Sequence, residues 1–310
     1  MSNNKATILL TGCLGTLGKP LWKALREKGY RVFGCDLVHY SDPEYFRCDI
    51  SNYRELAVIF KNQKFDYVYH LAAEFGRQNG EDYFEKVWET NVIGMKNIIQ
   101  LQKEEKFKLI FTSSSEIYGE TKVDLLDEDL PLRQPLFQTN DYAISKWVNE
   151  LQIINSEKRY GVEGMRLRLF NAFGPGEYYH PYRSVVCLFC YKALNKMPYQ
   201  VYENYHRVFM YIDDLIPTLV NAIEKFKPGE VYNIGGEEYR SVKELSDLIL
   251  DYLGLDDSLV EYLPEDKHNI VNKRPNIEKA KRDLGHNPKT LLKDGIPKTI
   301  EWLRQMYKIN

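Results

Sequence analysis

Residues 6–36 read ATILLTGCLGTLGKPLWKALREKGYRVFGCD, and this stretch decides the fold. A short apolar run, a glycine-punctuated turn, an amphipathic helix and a second apolar run ending on an acid make one βαβ unit. Gly12, Gly15 and Gly18 form a GxxGxxG turn between strand and helix. Missing Cβ atoms there let the backbone approach a pyrophosphate, whose charge the helix amino terminus attracts. Asp36 closes the second strand. A carboxylate at that place accepts hydrogen bonds from an adenosine ribose and repels a 2'-phosphate, so the expected dinucleotide is NAD rather than NADP.

Outward from that unit the pattern repeats. EYFRCDI (44–50) ends a short strand, SNYRELAVIFKNQ (51–63) is helical from a serine cap, and FDYVYHLAAE (65–74) is a third core strand. Asp49 and Ile50 are expected at a strand end near the adenine, and the small residues in Leu71, Ala72 and Ala73 leave room beside the dinucleotide. A helix expected from about Glu81 to Glu104 carries Asn91, also assigned to the cofactor. KLIFTSSSEIYGE (108–120) then supplies a fourth buried strand. Strands alternating with helices at this period imply an α/β fold, a Rossmann-type doubly wound parallel sheet with its ligand at the carboxyl ends of the strands.

That fourth strand ends in Ser113, Ser114, Ser115 and Glu116. A hydroxyl there can share a substrate hydroxyl with a base, and Glu116 adds a second acid/base. The base is expected in YAISK, where Tyr142 and Lys146 stand four residues apart on one helical face. A fixed ammonium favours phenolate. Bringing a tyrosine from ~10 to ~7 takes about 4 kcal/mol, roughly what one lysine ~4 Å away supplies at an effective dielectric of ~20.

Composition narrows the classes. The 310 residues are 44% hydrophobic and 28% charged, enough to bury one large core or two modest ones. A net charge of -2 leaves no face-wide basic excess for nucleic acid. No apolar run approaches the ~20 residues that span a bilayer, and MSNNKATILLTG is too polar before its apolar run for a signal peptide. The five dispersed cysteines suit a reducing compartment, so a soluble cytoplasmic protein is expected. Cys187 and Cys190 form a CxxC inside an apolar helical run with no second ligand pair, and are expected in the core. No metal site is expected.

A glycine turn, a strand-end acid, a hydroxyl cluster and YxxxK, in this order, resemble the extended short-chain dehydrogenase/reductase family and its NAD-dependent nucleotide-sugar epimerases and dehydratases. The resemblance continues through RLRLFNAFGPGE (166–177), RVFMYIDDL (207–215), VYNIGG (231–236) and KRPNIEKAKRDLGHNP (273–288). It implies Tyr142 as the base, Lys146 on the nicotinamide ribose, and Ser114, among the serines, as the hydroxyl partner. Ser115, Asn171, Arg183, Arg207 and Arg274 become substrate contacts. A homodimer or higher homo-oligomer is implied, with Trp147, Val148 and Leu151 supplying apolar contacts.

The expected domains are a cofactor domain over 1–175 and a smaller α/β substrate domain over 176–310, interleaved because roughly 207–235 returns to the sheet. The loop GPGEYYHPYRSVV (174–186) carries Tyr178, Tyr179, His180, Tyr182 and Arg183; aromatics and a cation can stack on a base and hold a diphosphate, or wedge elements together. The family's common step is oxidation at sugar C4. Epimerisation or 4,6-dehydration comes next as the expected net reaction, with release of the 4-ketosugar or loss of a C6 carboxylate as alternatives. Ser115 and Glu116 resemble the pair in GDP-mannose dehydratases and UDP-glucuronate decarboxylases. A non-catalytic dinucleotide sensor is the reading from another class, and it has no need of Ser114, Tyr142 and Lys146.

Overall fold

The computed structural model describes residues 5–264, 270 and 272–309, Asn272 by its backbone alone. The chain forms two compact units. The first holds the chain through Ile117, Asn140–Arg168 and Ile216–Tyr232; the second holds Tyr118–Thr139, Leu169–Leu215 and the chain from Asn233. The chain thus enters the second unit at 118, where the expected entry is 176, and of the 207–235 stretch the part from Ile216 to Tyr232 belongs to the first.

In the first unit the 6–36 stretch folds as β1 (Thr7–Thr11), α1 (Gly18–Glu27) and β2 (Arg31–Asp36). Next come β3 (Tyr45–Arg47), α2 (Tyr53–Asn62), β4 (Tyr67–His70), β5 (Lys108–Ser114) and β6 (Gly164–Leu169). The seven-stranded sheet has the order Val231–Ile234, β6, β5, β4, β1, β2, β3. β1 lies parallel to β2 on one side and to β4 on the other, with Thr11 opposite both Cys35 and His70. Strand order therefore reverses between β1 and β4, and the strands end there together at Thr11 and His70. Ile8, Leu9 and Leu10 have no exposed surface, as strands covered on both faces require.

Two expectations are corrected locally. The cap of α2 is Asn52, not Ser51; its side chain accepts from the amides of Arg54 and Glu55, the geometry an amide oxygen gives at a helix start. The single helix expected over 81–104 is instead broken. Helical pieces run Arg77–Asp82 and Phe84–Val87, a π-helical segment covers Trp88–Ile93, and a regular helix covers Gly94–Glu105. The widened turn brings Asn91 inward, where it is buried.

The second unit has its own core, built from Phe189, Tyr199, Leu245, Ile249, Ile296 and Ile300 among others. Ser241 and Glu244 form a reciprocal capping box at the start of the Val242–Leu253 helix. Cys187 and Cys190 are buried there as expected, and burial pushes both thiols upward. All five cysteines are free.

Candidate active site

The glycine turn fits a dinucleotide. Gly12 holds a left-handed φ of +70°, and a Cβ there would lie 2.7 Å from the Ala72 nitrogen. Only glycine lets β1 turn this closely against the end of β4. Asp36 Oδ2 accepts from the Leu14 amide at 3.0 Å and Oδ1 from the Leu37 amide at 2.8 Å, so the carboxylate is pinned against the glycine turn at the end of β2. The α1 amino terminus carries no side-chain cap and no acid in its first turn. Its amides and partial positive charge suit a pyrophosphate.

Other residues assigned to the cofactor fall into two groups. Leu71, Ala72 and Ala73 are half-buried; the amides of Leu71 and Ala72 are held by the Thr11 carbonyl and hydroxyl, which places Ala72 against Gly12. Asp49 instead accepts from the Ser51 amide and hydroxyl at 2.9 and 2.7 Å, and Ile50 belongs to the buried core. Asn91 spends its amide on protein: its Oδ1 accepts from the Glu74 amide at 2.8 Å, and its Nδ2 donates to the Glu74 carbonyl and the Ser145 hydroxyl. In this structure it positions the segment after β4 against the YxxxK helix.

That helix runs Asp141–Tyr160, with Asn140 accepting from the Ala143 amide at 2.8 Å as its cap. Gly80 packs so tightly on its first turn that a Cβ would lie 2.9 Å from the Tyr142 nitrogen. The Ser114 side chain and the Glu116 charge both act on the Tyr142 phenol, the first lowering its pKa and the second raising it. Ser114 Oγ in turn accepts from the Glu116 amide at 3.2 Å. Ser115, next to it, is buried in the 3-10 turn Ser115–Tyr118. Lys146 Nζ donates to the Thr112 carbonyl at 2.9 Å and lies 5.9 Å from the Tyr142 ring centre. Thus β5 and one helix bring Ser114, Glu116, Tyr142 and Lys146 together.

The expected depression of the Tyr142 pKa is not present. Burial pushes the phenol up to about 12, the Ser114 hydrogen bond pulls it down, and the Glu116 charge pushes it further up. Burial also lowers Lys146 to about 7, against the raising influence of Glu150. A buried ammonium is costly, and the Glu150 charge opposes that cost.

In the second unit, Arg207 and Arg274 converge electrostatically on Tyr239, whose phenol burial raises and both cations lower. Arg274 is exposed, 5.6 Å from that ring. Arg207 is buried and also donates to the carbonyls of His206 and Ile270 at 2.8 and 2.5 Å. Asn171, at φ 36°, donates to the Val208 carbonyl at 3.0 Å. Arg183 is half-buried, and its charge acts on the buried Glu177 carboxyl. The neighbouring tyrosines pack on the Leu292–Tyr307 helix: Tyr178 meets Trp302 edge-on at 5.1 Å, and the Tyr179 amide donates to the Tyr307 hydroxyl. His180 packs against Tyr182 at 5.0 Å, and no metal-ligating group of three or more side chains occurs among the described residues.

Residues 8–235 match the model of the NAD dependent epimerase/dehydratase family. The chain belongs to this family. Its cofactor is accordingly NAD, and the glycine turn and Asp36 fit that group. Among relatives, it is 28% identical to the UDP-N-acetyl-alpha-D-glucosaminuronate decarboxylase of Bacillus cytotoxicus, covering 97% of this chain and 99% of the relative. It is 30% identical to UDP-glucuronic acid decarboxylase 1 of Danio rerio, covering 96% and 73%. The crystal structure of UDP-glucose 4-epimerase from Thermotoga maritima with UDP-glucose superposes with a TM-score of 0.88 at 27% identity, covering 97% of this chain and 99% of that one.

The reading from sequence missed the buried charges behind the site. Glu150, Arg166 and Arg168 are all buried. The signal was present: two arginines alternate with apolar residues in the core strand GMRLRL, and buried charges require partners. Glu150 comes one helical turn after Lys146.

Proposed function

We propose that this enzyme oxidises C4 of a nucleotide-linked sugar, with Tyr142 taking the hydroxyl proton. The observation that carries this reading is Tyr142 with Lys146 Nζ 5.9 Å from its ring centre and the Ser114 side chain acting on its phenol. Ser114 orients the phenol and shares the substrate hydroxyl; Lys146 supports the phenolate. NAD, when bound, supplies the hydride acceptor at C4 and a positive ring beside the phenol. The names of the relatives support a UDP-linked substrate, and the Arg207–Arg274 pair supports recognition of its phosphates.

A ketone at C4 makes the C5 proton acidic and makes a C6 carboxylate a β-keto acid. Glu116, close enough to Tyr142 to raise its pKa, is the group for the second stage of the reaction: proton removal at C5 in a dehydration, or proton delivery to C5 after carbon dioxide leaves. Epimerisation needs neither. The two decarboxylase relatives favour the uronate reading as the second one to test. Incubation with NAD and a panel of nucleotide-linked hexoses and uronates, read by mass spectrometry, separates them: loss of water, loss of carbon dioxide, loss of two hydrogens, or unchanged mass with altered retention. No change with any donor would favour the sensor. Glu116→Gln is expected to retain C4 oxidation and to slow the later step by roughly 10²-fold; an unchanged net rate would remove Glu116 from the mechanism.

The assembly we propose is a homodimer formed through the YxxxK helix and the helical segment before it. Phe84, Ile93 and Leu151, on these helical segments, are 52%, 50% and 45% exposed and are the apolar side chains the interface would cover. Trp147 and Val148 are already half-buried. Ile93→Glu with Leu151→Glu is expected to halve the mass measured by light scattering, and an unaltered mass would move the interface elsewhere. Among the described residues no helix is long and apolar enough to cross a membrane, and the free cysteines support a cytoplasmic location; recovery from another fraction of the cell would overturn it.

A further inference from the structure

Three successive residues of β5 hold the YxxxK helix by three different groups. The Thr112 carbonyl takes the Lys146 ammonium at 2.9 Å, the Ser113 hydroxyl donates to Glu150 Oε1 at 2.5 Å, and the Ser114 hydroxyl meets Tyr142. Glu150 is fully buried and gripped from behind by Arg168, whose Nε and Nη2 donate to its two oxygens at 2.9 and 2.8 Å. Arg166 Nη1 stands 3.9 Å from Oε2. Such a carboxylate cannot be removed from the core without loss: taking out one member strands the charge of another. A core strand and helix have no need of it for packing alone, since apolar side chains of similar volume pack as well or better.

We infer that Glu150 is a positioning residue for the reaction: through Ser113 it fixes the register of the helix on β5, and its charge keeps Lys146 protonated beside Tyr142. This rests on the reading of Tyr142 and Lys146 as the acting pair. The charges around Lys146 leave Glu150 as its counterion. On its own helix Lys146 has Tyr142 and Glu150. From β4 comes His70, which burial and the Lys146 charge push down to about 3, so it is neutral. After β5 comes Glu116, whose charge acts on Tyr142. From β6 come Arg166 and Arg168, both turned to Glu150. Glu150 itself resists protonation: burial would raise its pKa, but Arg168, the Ser113 hydroxyl and Arg166 together bring it below the ordinary range. A carboxylate one turn away raises the lysine pKa, so neutralising it lowers that pKa and discharges Lys146 at neutral pH.

The test is titration of Lys146 by NMR in protein labelled with 13C at the lysine ε-carbons, its signal being the one absent from Lys146→Arg. Glu150→Gln keeps the shape and the Ser113 hydrogen bond; Glu150→Gln with Arg168→Gln also removes the stranded cation, should the single variant fold poorly. The midpoint is expected to fall by about one pH unit or more in both, relative to the unaltered protein. The acid limb of kcat/KM is expected to move to higher pH. Ser113→Ala keeps the charge and loses the anchor, so it is expected to lower turnover about tenfold with little change in the Lys146 midpoint. An unchanged midpoint in the Glu150 variants, with activity lost equally at every pH, would make Glu150 structural only and overturn the inference. A fallen midpoint in a protein that turns over no sugar nucleotide supports the inference while defeating the proposed reaction.

Discussion

Tyr142→Phe is expected to lower turnover at least about 10³-fold while leaving NAD affinity within about twofold. The close approach of Gly80 to the Tyr142 backbone nitrogen and Cβ is kept, since only the hydroxyl leaves. The Ser114 hydroxyl that acts on the phenol is held by the Glu116 amide and stays in place in the variant, so stability is expected to change by no more than about 1 kcal/mol. Catalysis loses far more, because the proposed C4 step assigns the hydroxyl proton to Tyr142, while Glu116 is the group for the later step. Lys146 is tied to the Thr112 carbonyl, and Ser114 has no base of its own. Formation of reduced nicotinamide in a single turnover, with NAD affinity measured separately by calorimetry, checks both halves. Turnover within tenfold of the unaltered protein would remove Tyr142 as the base.

The same residue shows how far sequence reading reaches. The YxxxK spacing places Tyr142 and Lys146 on one face, and the end of β5 carries Ser114, whose side chain acts on the phenol. What spacing cannot show is dielectric. A lysine ~4 Å away stabilises phenolate only while it is charged, whereas burial brings this one to about 7 and raises the phenol to about 12. Burial is a property of the assembled core, and the compensating charge of Glu150 comes into view only with the partners Ser113 and Arg168 beside it.

The sheet was legible for a physical reason: β1, β2, β4 and β5 are near-continuous apolar runs, and helices separate them at the βαβ period. The passage of the chain at 118 was not, because Tyr118–Thr139 lacks a composition that marks a change of unit. Its ties are long-range, such as the Tyr118 hydroxyl donating to Asn233 Oδ1 at 2.7 Å. The π-helical turn at Trp88–Ile93 was equally hidden. Helical periodicity is nearly blind to one extra residue per turn, and the reason for it, Asn91 reaching both Glu74 and Ser145, is tertiary.

Gly18→Ala is expected to be far more damaging than Gly15→Ala in the cofactor turn, costing roughly 3 kcal/mol of stability and at least tenfold in NAD affinity. A Cβ at Gly18 would sit 2.1 Å from the Gly12 carbonyl oxygen, 2.7 Å from the Cys13 carbonyl carbon and 2.8 Å from Cys13 Cα. Every one of these is backbone, so no side chain can swing aside. Relief requires α1 to move away from β1, which withdraws its amino-terminal amides from the place where the pyrophosphate must lie. Gly15 is the internal comparison: its Cβ would meet only the Gly12 oxygen, at 3.3 Å, and Gly15→Ala is expected to cost less than about 1 kcal/mol. Both glycines belong to one motif, yet the spacing that reveals them cannot rank them. Thermal unfolding without cofactor isolates the packing contribution, and calorimetric titration with NAD gives the binding one. Equal melting temperatures for the two variants would mean that the close approach of α1 to the turn is not what Gly18 secures.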